Sequence, residues 1–158
     1  MAEMSGLRRR LRSERGAELI ETALTLPLIL LVVIGIIEFG FVFQKLEIVT
    51  NAAREGARVL VLPDFGPADA IARMEQYLDA AGLDPDLATL PEEADLAAVE
   101  EDLDGTNCIA VVNVWVTYPH QAPFLAGIGR YFNSTFGTFT LRGRSTMRTE
   151  DAGVECSP

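Results

Sequence analysis

The sequence predicts an α+β protein: a long N-terminal transmembrane and amphipathic helix, a second short helix, and a small antiparallel β-sheet. Three observations predict it. An uninterrupted apolar run follows a cluster of arginines, and it passes into a stripe with helical spacing. Two segments rich in valine, threonine and aromatic residues lie toward the C-terminus. The 158 residues allow one modest domain plus an anchor.

Charge is divided sharply along the chain. Residues 1–16 hold five arginines (Arg8, Arg9, Arg10, Arg12, Arg15) against Glu3 and Glu14, a net of +3. The remaining 8 Lys/Arg and 21 Asp/Glu give −13, which sums to the overall −10. A short basic end before an apolar run is the positive-inside pattern. It places the N-terminus in the cytoplasm and the acidic bulk across the membrane. An acidic body argues against nucleic acid as a partner, because that binding rests on cationic contacts to phosphate.

The first element is the anchor. From Thr22 to Ile37 there are sixteen residues without a charge, and Leu19–Ile37 makes nineteen with Glu21 inside. As a helix the nineteen would be about 28 Å long, close to a hydrocarbon core of about 30 Å. Pro27 removes one helix hydrogen bond, a loss that membrane helices tolerate. Glu38 is expected at the outer boundary, within reach of water, followed by Phe39, Phe41 and Phe43. The run is longer than the apolar core of a cleavable secretory signal, and the nearest small-residue site, Thr50-Asn51-Ala52, lies far downstream.

Helical spacing continues beyond the anchor. Leu46, Val49, Ala53, Gly56 and Leu60 recur at intervals of 3, 4, 3 and 4, one face of a helix that should run from about Glu18 to Leu62 and stop at Pro63. Small residues in that stripe permit close helix packing, either on the chain's own domain or on a neighbouring subunit. Glu55 is placed to pair with Arg58.

Residues 64–104 hold thirteen acids and a single base, Arg73. Within them, 66–83 reads as a helix with Pro67 in the first turn, an apolar face of Ile71, Met74, Leu78 and Ala81, and Gly82 at its C-terminal cap. Residues 84–105 read as an acidic exposed loop with a turn or two of helix after Pro91. The acids lack the spacing of an EF-hand loop, so a solvated face is expected and no metal. Residues 108–118 read as a strand whose face of Ala110, Val112, Val114, Val116 and Tyr118 is covered. A second, more polar strand is expected over 134–148, with an apolar connector between the two. Cys108 and Cys156 both fall on the predicted outer side, where either a disulfide or two thiols is compatible with the count.

Five divisions follow: a basic cytoplasmic leader (1–16), a transmembrane helix (17–43), its amphipathic extension (44–63), an acidic helix and loop region (64–107), and a β-rich C-terminal region (108–158). No catalytic constellation is visible. The lone histidine, His120, has no nucleophile motif and no second histidine near it, and the Gly127-Ile128-Gly129 segment lacks the context of a phosphate loop. The chain is expected to be no enzyme and to need no cofactor.

The N-terminal pattern carries a resemblance. A basic run, then Gly16, Ala17, Glu21 at the fifth place after the glycine, and then an apolar helix resemble the class III signal of type IV pilin-like proteins. With "NAAREGAR" (51–58), "VNVWVTYP" and "TLRGRSTMRTE", the chain resembles the TadE-like minor pseudopilins of the tight-adherence (Flp-type) pilus. Ala17 stands where ordinary type IV pilins commonly have phenylalanine. The resemblance implies cleavage after Gly16 by a prepilin peptidase and a retained helix in the inner membrane. It also implies an assembly role for Glu21 opposite the new Ala17 amine of an adjacent subunit. Other pilins, pseudopilins and the inner-membrane assembly platform would then be partners, along with the bilayer, and the product could enter the pilus. From the residues alone, the alternative is an uncleaved, signal-anchored extracytoplasmic domain that binds a ligand or partner.

Overall fold

A computed structural model describes residues 3–102, 108–131 and 137–149. Its elements are helices α1 (Glu3–Leu60), α2 (Pro67–Ala80) and α3 (Pro123–Tyr131), and strands β1 (Val99–Asp102), β2 (Cys108–Gln121) and β3 (Thr138–Arg148). Two short 3-10 turns, Pro85–Leu87 and Glu93–Leu96, lie between α2 and β1. The fold is α+β, as the sequence reading has it: a long apolar helix, a shorter one, and an antiparallel sheet of order β1-β2-β3. The chain divides into two units, Met1–Gly40 and Phe41–Pro158.

The first unit is the leading part of α1. Its helix begins at Glu3, well before the Glu18 expected, and passes Pro27 without a break. The large apolar residues from Leu19 to Ile37 are 42–73% exposed, except Ile34, which is half-buried. A helix that is apolar all round and uncovered by its own chain suits lipid or other apolar helices. It is the one described helix long and apolar enough to cross a membrane. Glu38 departs from expectation. It is 3% exposed, so it does not reach water at a boundary but lies buried.

In the second unit, two helices cover one face of the sheet. The inward face of β2 is Ala110, Val112, Val114, Val116 and Tyr118, each at most 8% exposed. Its central residues join Val49, Ala52, Ala53 and Ala57 of α1 and Met74 and Leu78 of α2 in one apolar cluster. Two glycines set how closely the layers approach. A Cβ on Gly143 of β3 would lie 2.6 Å from the backbone of Thr50, and one on Gly56 of α1 would lie 2.7 Å from the Met74 side chain.

Helix α2 matches its expected span but is turned slightly from the expected face. Ala70 is buried with Met74 and Leu78, Ile71 is half-buried, and Ala81 is exposed. Its end is a Schellman motif. Gly82, at φ 77, donates to the Asp79 carbonyl, and Leu83 donates to that of Leu78, which folds the Leu83 side chain into the core.

The segment read as an acidic loop contains strand β1, which pairs antiparallel with β2 from Val99↔Val111 to Asp102↔Cys108. The hydrophobic pattern could not reveal it, because Glu100, Glu101 and Asp102 are poor strand formers whose pairing is decided by the neighbouring β2. The connector between the two long strands likewise contains a helix, α3. It is held beside the hairpin by Ala122 donating to the Gly137 carbonyl at 2.8 Å. Strands β2 and β3 pair from Gln121↔Thr138 to Val111↔Arg148.

Candidate functional site

The candidate site is α1 itself, whose two parts present different chemistry. In the leading part, Gly16 begins the described surface, half-buried, and Ala17, Glu18 and Glu21 are exposed. Ala17 and Glu21 are four residues apart on a continuous helix, so they share a face about 6 Å apart along the axis. Next to them, Thr25 donates its hydroxyl to the Glu21 carbonyl at 2.9 Å. A Cβ on Gly16 would meet nothing within 4 Å, so the glycine is not there to admit a neighbouring part of the chain.

In the second unit, the stripe meets the chain's own fold. Val49, Ala53 and Gly56 are buried and Leu60 is half-buried against α2 and the sheet, while Leu46 is half-buried one turn before them. At the edge of this packing sits a three-residue charge cluster. Glu55 Oε2 accepts from Arg58 at 3.2 Å, the pair expected within the helix, and from Arg73 of α2 at 3.2 Å. Burial pushes the Glu55 carboxyl up, but the hydrogen bonds from Arg73 and Arg58 outweigh it and hold the carboxyl below its ordinary value. The Arg73 bond was missed by the sequence reading, although a signal existed: Arg73 is the one base among the thirteen acids of residues 64–104. Two of the three charges in this cluster, Glu55 and Arg58, come from the "AREGAR" segment, whose Gly56 contacts α2 directly.

Other candidate residues stand apart from α1. His120 is 1% exposed, with its ring 5.0 Å from that of Phe139, so it is placed in the packing of the hairpin and away from any solvent-facing cleft. Cys108 opens β2 opposite Asp102, whereas Cys156 lies outside the described residues, as does their pairing. Among the described residues, no group of His, Cys, Asp and Glu is arranged to hold a metal ion.

In comparison with known families, residues 16–58 fit the family model described as TadE-like protein. Comparison with curated proteins and with solved structures gave none. The matched segment begins at Gly16 and takes in Glu21, the apolar helix and "AREGAR"; it does not extend to the two long strands, on which the resemblance had also drawn. Over residues 16–58, therefore, this chain is similar to the family described as TadE-like protein, the family that its sequence resembles.

Proposed function

We propose that the protein is a non-enzymatic minor pseudopilin that takes part in the assembly or initiation of a Flp-type pilus. In this reading it is inserted in the inner membrane with its N-terminus in the cytoplasm and its C-terminal domain outside. A prepilin peptidase cuts it between Gly16 and Ala17, and the mature helix enters contacts with other pilins, pseudopilins and the assembly platform. The observation that carries the reading is the Gly16–Ala17–Glu21 spacing just before a largely exposed apolar run of α1, inside the segment that fits the TadE-like family.

The chemistry follows from the residues. Cutting after Gly16 creates an α-amine on Ala17, protonated near neutral pH. A carboxylate at the membrane edge is costly unless hydrated or paired. Glu21 would relieve that cost by meeting the Ala17 amine of an adjacent subunit, which rewards one axial register and penalises others. The bond to be cut lies within the helix that starts at Glu3, so the peptidase must open a turn. Glycine at position 16 lowers the cost of opening, because it is the poorest helix former after proline. The same helical continuity favours the second reading, an uncleaved anchor bearing an extracytoplasmic binding domain.

Intact-mass measurement of protein from membranes that contain an active prepilin peptidase separates the two. The expected mature chain starts at Ala17, and Gly16→Ile leaves the precursor uncut. Glu21→Gln should be inserted and cut normally while co-purification with other pilins falls. Glu47→Gln, an exposed carboxylate further along the same helix, serves as the control. Full-length wild-type chains alone would remove the processing claim, and undiminished assembly of Glu21→Gln would reduce Glu21 to a tolerated boundary charge.

A further inference from the structure

The sheet separates charge in a way that the linear sequence conceals. Strand β2 has a different neighbour on each edge. Along one edge runs the segment 89–102. Thr89 exchanges both backbone hydrogen bonds with Thr117, at 2.8 and 2.9 Å, and β1 then pairs down to Asp102↔Cys108. That strip contains Glu92, Glu93, Asp95, Glu100, Glu101 and Asp102 and no base. Glu92, Glu93 and Asp95 are exposed. Along the other edge runs β3, with Arg142, Arg144 and Arg148 and no acid. The three arginines are exposed and, being an even number of residues apart, project from the outer face of the sheet.

The two strips lie level with each other. Arg142 stands opposite Thr117, the residue that Thr89 bridges from the far side, and Arg148 stands opposite Val111, the partner of Val99. Two interstrand spacings, about 10 Å, separate them. With β2 between, the strips do not pair with each other: among the described residues the ion pairs are those of Glu55 with Arg58 and Arg73. Arg142 is steadied by the Trp115 ring, 5.2 Å from its guanidinium, which fixes the direction of one charge in the row. In a chain of net charge −10, a row of three like-charged arginines on one sheet face is an isolated cationic strip beside an acidic one.

We propose that the arginine row of β3 docks the acidic strip 89–102 of a second copy of this chain. One copy carries both halves of the contact, on opposite edges of one sheet, so the contact is heterologous: each subunit receives a neighbour on one edge and offers itself on the other. Such a contact repeats and does not close on itself as a twofold pair would. It draws on the second unit alone and holds whether or not the leader is removed.

The test uses the full-length chain in detergent or nanodiscs, as two co-expressed copies with different tags. Wild-type copies should co-purify. The variant Arg142→Glu/Arg144→Glu should lose co-purification with itself by roughly tenfold or more, as should Glu92→Arg/Glu93→Arg, since each then opposes like charges. Combining the two variants restores opposite charges on both edges and should restore the complex. Wild-type association should weaken between about 0.1 M and about 1 M salt, as the screening length falls from about 10 Å to about 3 Å. A site-specific measurement keeps any association through the anchor from deciding the result. In Arg142→Lys/Arg144→Lys, zero-length carbodiimide coupling should join these positions to residues 89–102 of an isotopically labelled partner copy. The proposal is overturned if cross-links form only within one copy or not at all, if wild-type copies stay apart, or if the crossed variants fail to recover association. In that event the arginines serve the protective role that charged residues often have on an edge strand.

Discussion

Helix α1 carries two surfaces of opposite kind. From Leu19 to Ile37 its large apolar side chains are exposed, with half-buried Ile34 the exception. From Val49 to Ala57 its buried residues are small, with Ala52, Ala53 and Ala57 wholly covered. The leading part is rich in leucine and isoleucine, and most of these side chains are exposed. The other part is poor in bulk and is well covered. Size explains the difference. Alanine and glycine contribute little apolar area themselves, but they let a sheet and a second helix approach the α1 backbone, and the partners supply the bulk: Met74, Leu78, Val114 and Val116. Long side chains in the leading part do the reverse and offer their area outward. Hydrophobicity alone therefore does not say which part of a helix joins a folded core.

The largest expected effect tests that contrast directly. Leu78→Ala removes a fully buried side chain from the core cluster and should destabilise the second unit by about 2–5 kcal/mol. Leu28→Ala removes the same atoms from a residue that is 65% exposed and should leave the unfolding of that unit unchanged. The fluorescence of Trp115, the single tryptophan, followed through urea unfolding in detergent, measures both. Equal losses would mean that the anchor contributes to the folded core after all.

A smaller effect comes from glycine. In Gly143→Ala the new methyl must displace the Thr50 backbone, which cannot swing aside as a side chain could, so a loss on the order of 1–3 kcal/mol is expected. Gly35→Ala meets nothing within 4 Å in this chain and should be neutral or slightly favourable to the helix. If the two substitutions behave alike in the same unfolding measurement, the close approach of β3 to α1 does not govern the packing.

Much of this organisation was legible in the sequence because its signals are local. The apolar run, the interval of the Leu46–Leu60 stripe, Pro67 and Gly82 at the ends of α2, and the valine-rich β2 each follow from residues near one another. What was not legible depended on partners distant in sequence. Acidic β1 is a strand because β2 offers it an edge, and Glu38 is buried although it stands at the end of an apolar run where contact with water is expected. Gly143 reads as an ordinary strand glycine until Thr50 is placed against it. In the candidate site, the Gly16, Ala17 and Glu21 proposal rests on a spacing within six residues, whereas the reach of Arg73 to Glu55 spans eighteen.

The smallest expected effect concerns that last pair. The bonds from Arg73 and Arg58 hold the Glu55 carboxyl below its ordinary value of 4.5 in the folded chain, so near that value the unfolded state binds more protons than the folded one. The contribution of Glu55 to stability is then fully present above the ordinary value and is lost as pH falls through the lowered one. Because Glu55 and both arginines keep part of their surface in solvent, the contribution should be about 1 kcal/mol or less. Wild type should exceed Glu55→Gln by that margin at neutral pH, and the gap should close as the carboxyl protonates in acid. Arg73→Gln should reproduce more of the loss than Arg58→Gln, since Arg73 offers two nitrogens, at 3.3 and 3.2 Å, and ties α2 to α1, whereas Arg58 only bridges one turn of its own helix. A gap between wild type and Glu55→Gln that stays constant from neutral to acid pH would show that the carboxylate charge is not what joins the two helices, and that contact between Gly56 and Met74 suffices.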